Sequence, residues 1–246
     1  MKKVVFLMNK KVKISGLILL IVIGAIGVFH WYIGPYLVDN VISTGNHTLL
    51  VMGADPTETR PGPGACDMAF IAEVNHSSIT NVTPLYPGGM ANPTASPPAT
   101  AAAQGDTKLY LHDTLWWNNT TMDAQLAQQT VQYNTGIKTD GVIIIRTYAL
   151  DAIVQAIGPI NVPGEGTIPD NDSLGFIREE QQNGSTRGAA VLAVGDAIKS
   201  ALHNPTKQVK LAEVISDQYS KGNIIVVPSS LYNQLFSEEI LNKIFS

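Results

Sequence analysis

From Ile14 to Ile33 the chain reads ISGLILLIVIGAIGVFHWYI, twenty residues without a single Lys, Arg, Asp or Glu. A helix of that length covers about 30 Å, the hydrocarbon thickness of a bilayer. Trp31, Tyr32 and Tyr36 sit at its end, amphipathic rings suited to the lipid–water boundary. Pro35 closes the helix. Five lysines (Lys2, Lys3, Lys10, Lys11 and Lys13) precede the run, and no acid occurs before Asp39. Positive flanks stay cytoplasmic. The expectation is therefore a cytoplasmic basic tail over 1–13, one transmembrane helix over 14–34, a tether over 35–47 and an extracytoplasmic domain over 48–246. A cleaved signal peptide is the competing reading, but the run is long for one and no A-x-A site follows it. No other apolar run reaches about 18 residues, so one crossing is expected.

Removing the five lysines leaves 11 basic against 20 acidic residues, a net of −9 for the outer part. That charge argues against nucleic acid and against docking on anionic lipid. The lone cysteine, Cys66, excludes an internal disulfide. N-x-[ST] triplets start at Asn46, Asn75, Asn81, Asn118, Asn119, Asn171 and Asn183. About two would arise by chance from this composition, so they are read as glycan acceptors on exposed loops. The short chain and basic start suit a prokaryote, where N-glycosylated surfaces are commonest in archaea.

Beyond the tether the apolar pattern alternates between strand and helix. Thr48 to Met52 (TLLVM), bounded by glycines, reads as a buried strand, and Asp67–Val74 and Ser78–Pro84 as two more. Residues 84–106 are rich in Pro, Ala, Thr and Gly and read as a loop. Thr121–Tyr133, with apolar Met122, Leu126 and Val131 among Gln and Ala, suits a surface helix ended at Gly136. Val142–Ile145 (VIII) is the strongest strand. Tyr148–Ile157 follows as a helix with Leu150, Ile153, Val154 and Ile157 on one face, then Ile160–Val162 as a short strand. Helices near Gly188–Leu202 and Leu211–Tyr219, a strand Ile224–Val227 and a helix from Ser229 complete the pattern. Strand, helix and strand within about 20 residues indicate an α/β sheet.

G-x-S-x-G, P-loop, C-x-x-C and H-E-x-x-H motifs are all missing. The histidines His30, His47, His76, His112 and His203 lack metal-ligand spacing and read as structural or solvated. Cys66 has no histidine beside it in sequence. What remains is a set of acids and arginines near strand ends. Asp55 follows the first strand, Arg60 lies in the next loop, Asp67 opens the second strand, and Arg178 and Arg187 bracket a polar segment. Carboxylates in such places hold Mg²⁺, arginines grip phosphate, and ligands of open α/β sheets bind at the carboxyl ends of strands. Asp55 and Arg60 obey that rule; Asp67 does so only if its strand runs antiparallel. On spacing alone, loop acids and surface arginines are the plainer reading.

TLLVMGADPTETRPGPGACDMAFIAEV resembles the opening of the LytR-CpsA-Psr (LCP) domain, where a strand ends in L-x-G-x-D and R-x-D-T-M starts the next. KTDGVIIIRTYALDAIVQAIGPINVPG resembles its central strand–helix–strand unit. FIREEQQNGSTRGAAVLAVGDAIKSAL resembles its later arginine-bearing segment and helix. TETRPGPG, DGVIII and IGPINVPG are still more similar to a related family, domain-of-unknown-function family 4012. The resemblance covers roughly residues 46 to 236. It implies an LCP-like three-layer α/β domain with a mixed central sheet behind the anchor. It also implies transfer of a phosphate-linked glycan from a polyprenyl-pyrophosphate carrier to an envelope acceptor, with Mg²⁺. Asp55 and Asp67 match the family's catalytic and metal-binding acids, and Arg178 and Arg187 its phosphate-gripping arginines, beside Arg60. The chain departs from the LCP pattern where I-P-R-D is replaced by Thr83-Pro84-Leu85-Tyr86-Pro87-Gly88, and where Arg187 is followed by Gly188-Ala189-Ala190-Val191 instead of a second arginine. Lost positive charge favours a membrane-anchored envelope protein whose domain binds or scaffolds. The alternative is the Mg²⁺-dependent transferase. Expected partners are the membrane through residues 14–34 and a polyprenyl-phosphate lipid or envelope glycan, and whether the chain is an enzyme stays open.

Overall fold

The computed structural model describes residues 46–75, 78–162, 166–169 and 205–235. The segment expected to cross the membrane and the helix expected at 188–202 lie outside them. Among the described residues no helix is long and apolar enough to cross a membrane.

A five-stranded mixed sheet forms the centre. Its strands are β1 (Asn46–Asp55), β2 (Ala65–Asn75), β3 (Ser78–Leu85), β4 (Gly141–Arg146) and, after a two-stranded hairpin of β5 (Ile160–Val162) and β6 (Gly166–Ile168), β7 (Ile224–Val227). The order across the sheet is β3-β2-β1-β4-β7. β1 pairs with β2 antiparallel and with β4 parallel; β2–β3 and β4–β7 are antiparallel. The helices are α1 (Ala99–Ala103), α2 (Thr120–Thr135), α3 (Thr147–Ile157), α4 (Pro205–Ser220) and α5 (Ser229–Leu235).

The uninterrupted apolar runs of β1 and β4 follow from this central position. A strand covered on both faces needs apolar residues at every position. Leu49, Val51, Ile143 and Ile145 point to one side, where Leu150, Ile153, Val154 and Ile157 of α3 and Leu211 and Ile215 of α4 cover them. Leu50, Met52, Val142 and Ile144 point to the other, against Ala124, Ala127 and Val131 of α2. The expected three-layer α/β arrangement is thus present. Burying one such side chain stabilises by about 1.5–3 kcal/mol. On α2 the sheet-facing residues are small, while Met122 and Leu126 are only half-buried. The Asn119 side chain caps α2 by accepting from the Met122 N–H, and Gly136 at φ 75° ends it.

β1 runs further than the apolar pattern suggests, from Asn46 through Asp55, because Ala54 and Asp55 still pair with Cys66 and Ala65. The Pro/Ala-rich segment carries a single 3-10 turn at Pro87–Gly89, the short helix α1 and one bridge from Ala91 to Tyr110, and it is held down. Asn92 is buried, its amide donates to Thr130 Oγ1 at 2.9 Å, and its carbonyl oxygen accepts from the Thr94 and Ala95 N–H groups.

Candidate functional site

Because β1 and β4 are parallel and β2 and β7 run against them, one edge of the sheet gathers the ends of β1 and β4 with the starts of β2 and β7. Asp67 therefore meets the condition left open by its sequence position: it shares the edge with Asp55. The register of β1 and β2 shifts between Gly53 and Ala54, so Met68 faces Gly53 and Cys66 faces Ala54, with Asp67 as the extra residue of the bulge.

The loop from Pro56 to Gly64 needs its glycines. The Gly62 N–H donates to the Trp116 carbonyl at 2.8 Å, and a Cβ on Gly62 would come within 2.3 Å of the Trp117 carbonyl oxygen. Gly64 has φ +135° and lies against the Asp55 backbone. This docking lays the loop over the single turn Leu111–Asp113 and the residues after it. Arg60, only 6% exposed, then donates from Nη2 to Asp113 Oδ1 at 2.9 Å and to Glu58 Oε2 at 3.2 Å. Its Nη1 donates to the His112 carbonyl at 2.9 Å, and its guanidinium stacks 4.8 Å over Trp116.

His112 lies between two carboxylates. Its Nδ1 is 3.2 Å from Asp113 Oδ1 and its Nε2 is 3.5 Å from Asp67 Oδ1. The hydrogen bond with Asp113, then the Asp67 carboxylate, lift its pKa to about 9 against the pull of partial burial. For Asp113, burial alone would raise the carboxyl. The hydrogen bond from His112 and the charges of His112 and Arg60 outweigh it and hold the group below its usual range.

Asp55 is buried, and its Oδ1 accepts from both the N–H and the hydroxyl of Thr57, at 2.8 and 2.7 Å. Around Asp67, by contrast, Glu58, Asp67 and His112 each offer a ligand atom within 4.8 Å of the others. The donor set beside Asp67 thus includes an imidazole as well as carboxylates. Cys66 is fully buried, its thiol donates to the Met68 carbonyl, and burial pushes its pKa well up, so it is inert as a nucleophile. Asp123, at the start of α2, is also buried. Burial lifts its pKa to about 7, against a lowering contribution from the Trp117 N–H, and its Oδ2 has no hydrogen-bond partner among the described residues.

Of the residues singled out in the sequence, Asp55, Arg60 and Asp67 come to one edge. Arg178 and Arg187, with Asn171 and Asn183, lie outside the described residues. Asn46, Asn81, Asn118 and Asn119 are exposed, and Asn75 ends β2. Glu58 and Asp113 carry no signal in the sequence, and His112, which reads there as structural or solvated, lies at the centre of the site. They join the site only through the docking of one loop on a turn 52 positions from Arg60, for which the chain carries no local signal.

These features define a three-layer α/β domain with a charge-paired site at the carboxyl edge of its parallel strands. The family model "Protein of unknown function (DUF4012)" matches residues 44–182, and the chain belongs to that family. Among solved structures, it is similar to protein gbs0355 from Streptococcus agalactiae, at 18% identity over 80% of this chain and 75% of that one, with a TM-score of 0.48. It is similar to a LytR-Csp2A-Psr enzyme from Actinomyces oris, at 15% identity over 85% and 79%, with a TM-score of 0.48. TagV from B. subtilis is similar at 15% identity over 82% and 80%, with a TM-score of 0.43. No curated protein matches the sequence.

Proposed function

We propose that the chain is a single-pass cell-envelope protein, anchored by residues 14–34 with its N-terminus in the cytoplasm, whose extracytoplasmic α/β domain binds or scaffolds envelope glycan without catalysing transfer. The observation that carries the reading is the state of Arg60. A site that takes a pyrophosphate needs uncommitted positive charge. Here the guanidinium is already engaged by Asp113 and Glu58 and stacked on Trp116. The departures from the LCP pattern at residues 83–88 and 188–191 point the same way, and so does the net −9 of the outer part.

The alternative is a Mg²⁺-dependent transferase acting on a polyprenyl-pyrophosphate-linked glycan. It draws on the shared edge position of Asp55 and Asp67. The two readings separate in one titration: full-length protein in detergent micelles, with a short-chain polyprenyl pyrophosphate and Mg²⁺. The binding-module reading expects no saturable binding of the pyrophosphate, with or without Mg²⁺. Micromolar binding that needs Mg²⁺ would replace it by the transferase.

A further inference from the structure

We propose that Glu58, Asp67 and His112 form a three-ligand site for a divalent ion of the Zn²⁺ type. The inference rests on the geometry of these side chains and is independent of membrane topology and of any glycan.

The first argument is distance. A tetrahedral Zn²⁺ holds its nitrogen and oxygen ligands at about 2.0–2.2 Å, which sets neighbouring ligands about 3.4 Å apart. His112 Nε2 and Asp67 Oδ1 stand 3.5 Å apart, with the Glu58 carboxylate inside the 4.8 Å that encloses all three. Glu58 is about half-exposed, which leaves its carboxylate room to turn toward the other two while Arg60 Nη2 holds it at 3.2 Å.

The second argument is the support behind the ligands. A metal-bound histidine ordinarily gives its other ring N–H to a carboxylate, which fixes the tautomer and aims the free lone pair. Asp113 Oδ1 occupies that place at 3.2 Å from His112 Nδ1, and Arg60 Nη2 fixes Asp113 from behind at 2.9 Å. The same Nη2 lies 3.2 Å from Glu58 Oε2, so one buried guanidinium positions two sides of the site. Asp67, placed by the β1–β2 bulge, supplies the third ligand from a strand.

Charge is the third argument. Glu58, Asp67 and Asp113 carry three negative charges against the two positive ones of Arg60 and the His112 imidazolium, so one negative charge is left over without metal. A divalent ion that displaces the His112 proton and takes the neutral imidazole as its ligand brings the group to zero. Donor chemistry selects the ion: an imidazole with two carboxylates suits Zn²⁺ and its transition-metal neighbours, whereas Mg²⁺ prefers an all-oxygen octahedron. Three protein ligands leave one position open for water or for an oxygen of a bound molecule.

The test is calorimetry on tag-free, full-length protein in detergent micelles, stripped with chelator and titrated separately with Zn²⁺, Mn²⁺ and Mg²⁺. Co²⁺ absorption serves as a coordination readout. One Zn²⁺ per chain is expected, bound at least about 100-fold more tightly than Mg²⁺. Glu58→Gln and His112→Gln should each weaken Zn²⁺ binding by more than about 100-fold and abolish the Co²⁺ band, and Asp113→Asn should weaken it by about 10–100-fold. Circular dichroism melts accompany each variant, and the exposed position of Glu58 makes Glu58→Gln the variant that keeps the fold. No saturable Zn²⁺ binding, equal affinity for Mg²⁺ and Zn²⁺, or unchanged Zn²⁺ affinity in folded Glu58→Gln would each overturn the proposal. Failure of Zn²⁺ binding leaves the pyrophosphate result untouched, so this inference and the proposed function fall separately.

Discussion

Replacing Arg60 by Ala tests whether this side chain serves structure, as its surroundings indicate. The guanidinium touches Asp113 at 2.9 Å, Glu58 at 3.2 Å and the His112 carbonyl at 2.9 Å, and stacks on Trp116 at 4.8 Å. The pair with Asp113 is the largest contribution, since its side chains are 6% and 12% exposed. Breaking a buried pair from one side costs about 3–5 kcal/mol, because the other charge is stranded. The contact with half-exposed Glu58 adds little, about 0–1 kcal/mol. The stack on Trp116 adds about 0.5–2 kcal/mol. Contributions of neighbours overlap, and His112 still neutralises part of Asp113, so the expected loss is about 3–4 kcal/mol. Arg60→Lys keeps the charge but not the planar fork and should cost about 2 kcal/mol.

The assay is equilibrium urea unfolding followed by tryptophan fluorescence, with Trp116 and Trp117 as reporters beside the site. A double-mutant cycle with Asp113→Asn isolates the pair, and a coupling of about 1.5–3 kcal/mol is expected. An Arg60→Ala cost below about 1 kcal/mol, or a coupling within about 0.5 kcal/mol of zero, would refute the reasoning and return Arg60 to the pool of cations free to bind phosphate.

Three further outcomes follow from the same contacts. The folded pKa of His112 is raised above its unfolded value, so its stabilisation is complete below about pH 6.5 and lost as pH rises through about 9. Allowing for a side chain 31% exposed, the metal-free protein should lose about 1–2 kcal/mol across that window, and His112→Gln should show no such loss, as read from urea midpoints. Asp123 is also raised, so it favours folding at low pH and costs stability as pH climbs through about 7. Between pH 4 and 8 Asp123→Asn should gain on the natural protein by roughly 2–4 kcal/mol, and parallel curves would contradict the burial argument. Asn119 caps α2 whereas its neighbour Asn118 does not, so Asn119→Ala should lower stability by about 1 kcal/mol and Asn118→Ala by less than about 0.5 kcal/mol in the same unfolding assay.

The parts of the fold that could be read from the chain are those where chemistry is local. LLVM and VIII are strands because both faces of a central strand must be apolar, and Leu150, Ile153, Val154 and Ile157 recur at helical spacing because one face of α3 lies on the sheet. Strand ends were less legible. Nothing in Gly53-Ala54-Asp55 announces that the ladder continues, because the partners that continue it, Cys66 and Ala65, belong to another segment. The buried face of α2 is not legible in its larger apolar residues for a related reason: close approach to the sheet favours Ala124 and Ala127 beside Val131 over the larger Met122 and Leu126. At the site, Asp55, Arg60 and Asp67 were found from the rule about strand ends. His112 and Asp113 could not be, since their chemistry is created by contacts with residues about 50 positions away.

The parallel pairing of β1 with β4 also sets an order of assembly. β2 begins at Ala65, ten positions after β1 ends at Asp55, whereas β4 begins only at Gly141. Closing the longer loop costs about 2 kcal/mol more in chain entropy, so the β1–β2–β3 meander forms first and the second edge of β1 waits. During synthesis at roughly 5–20 residues per second, the wait lasts about 4–17 s. For that interval LLVM presents an unpaired, uncharged strand edge of the kind that captures strands from other chains. Yield on refolding should therefore fall with protein concentration, and the most exposed moment in the life of this protein comes before its sheet is complete.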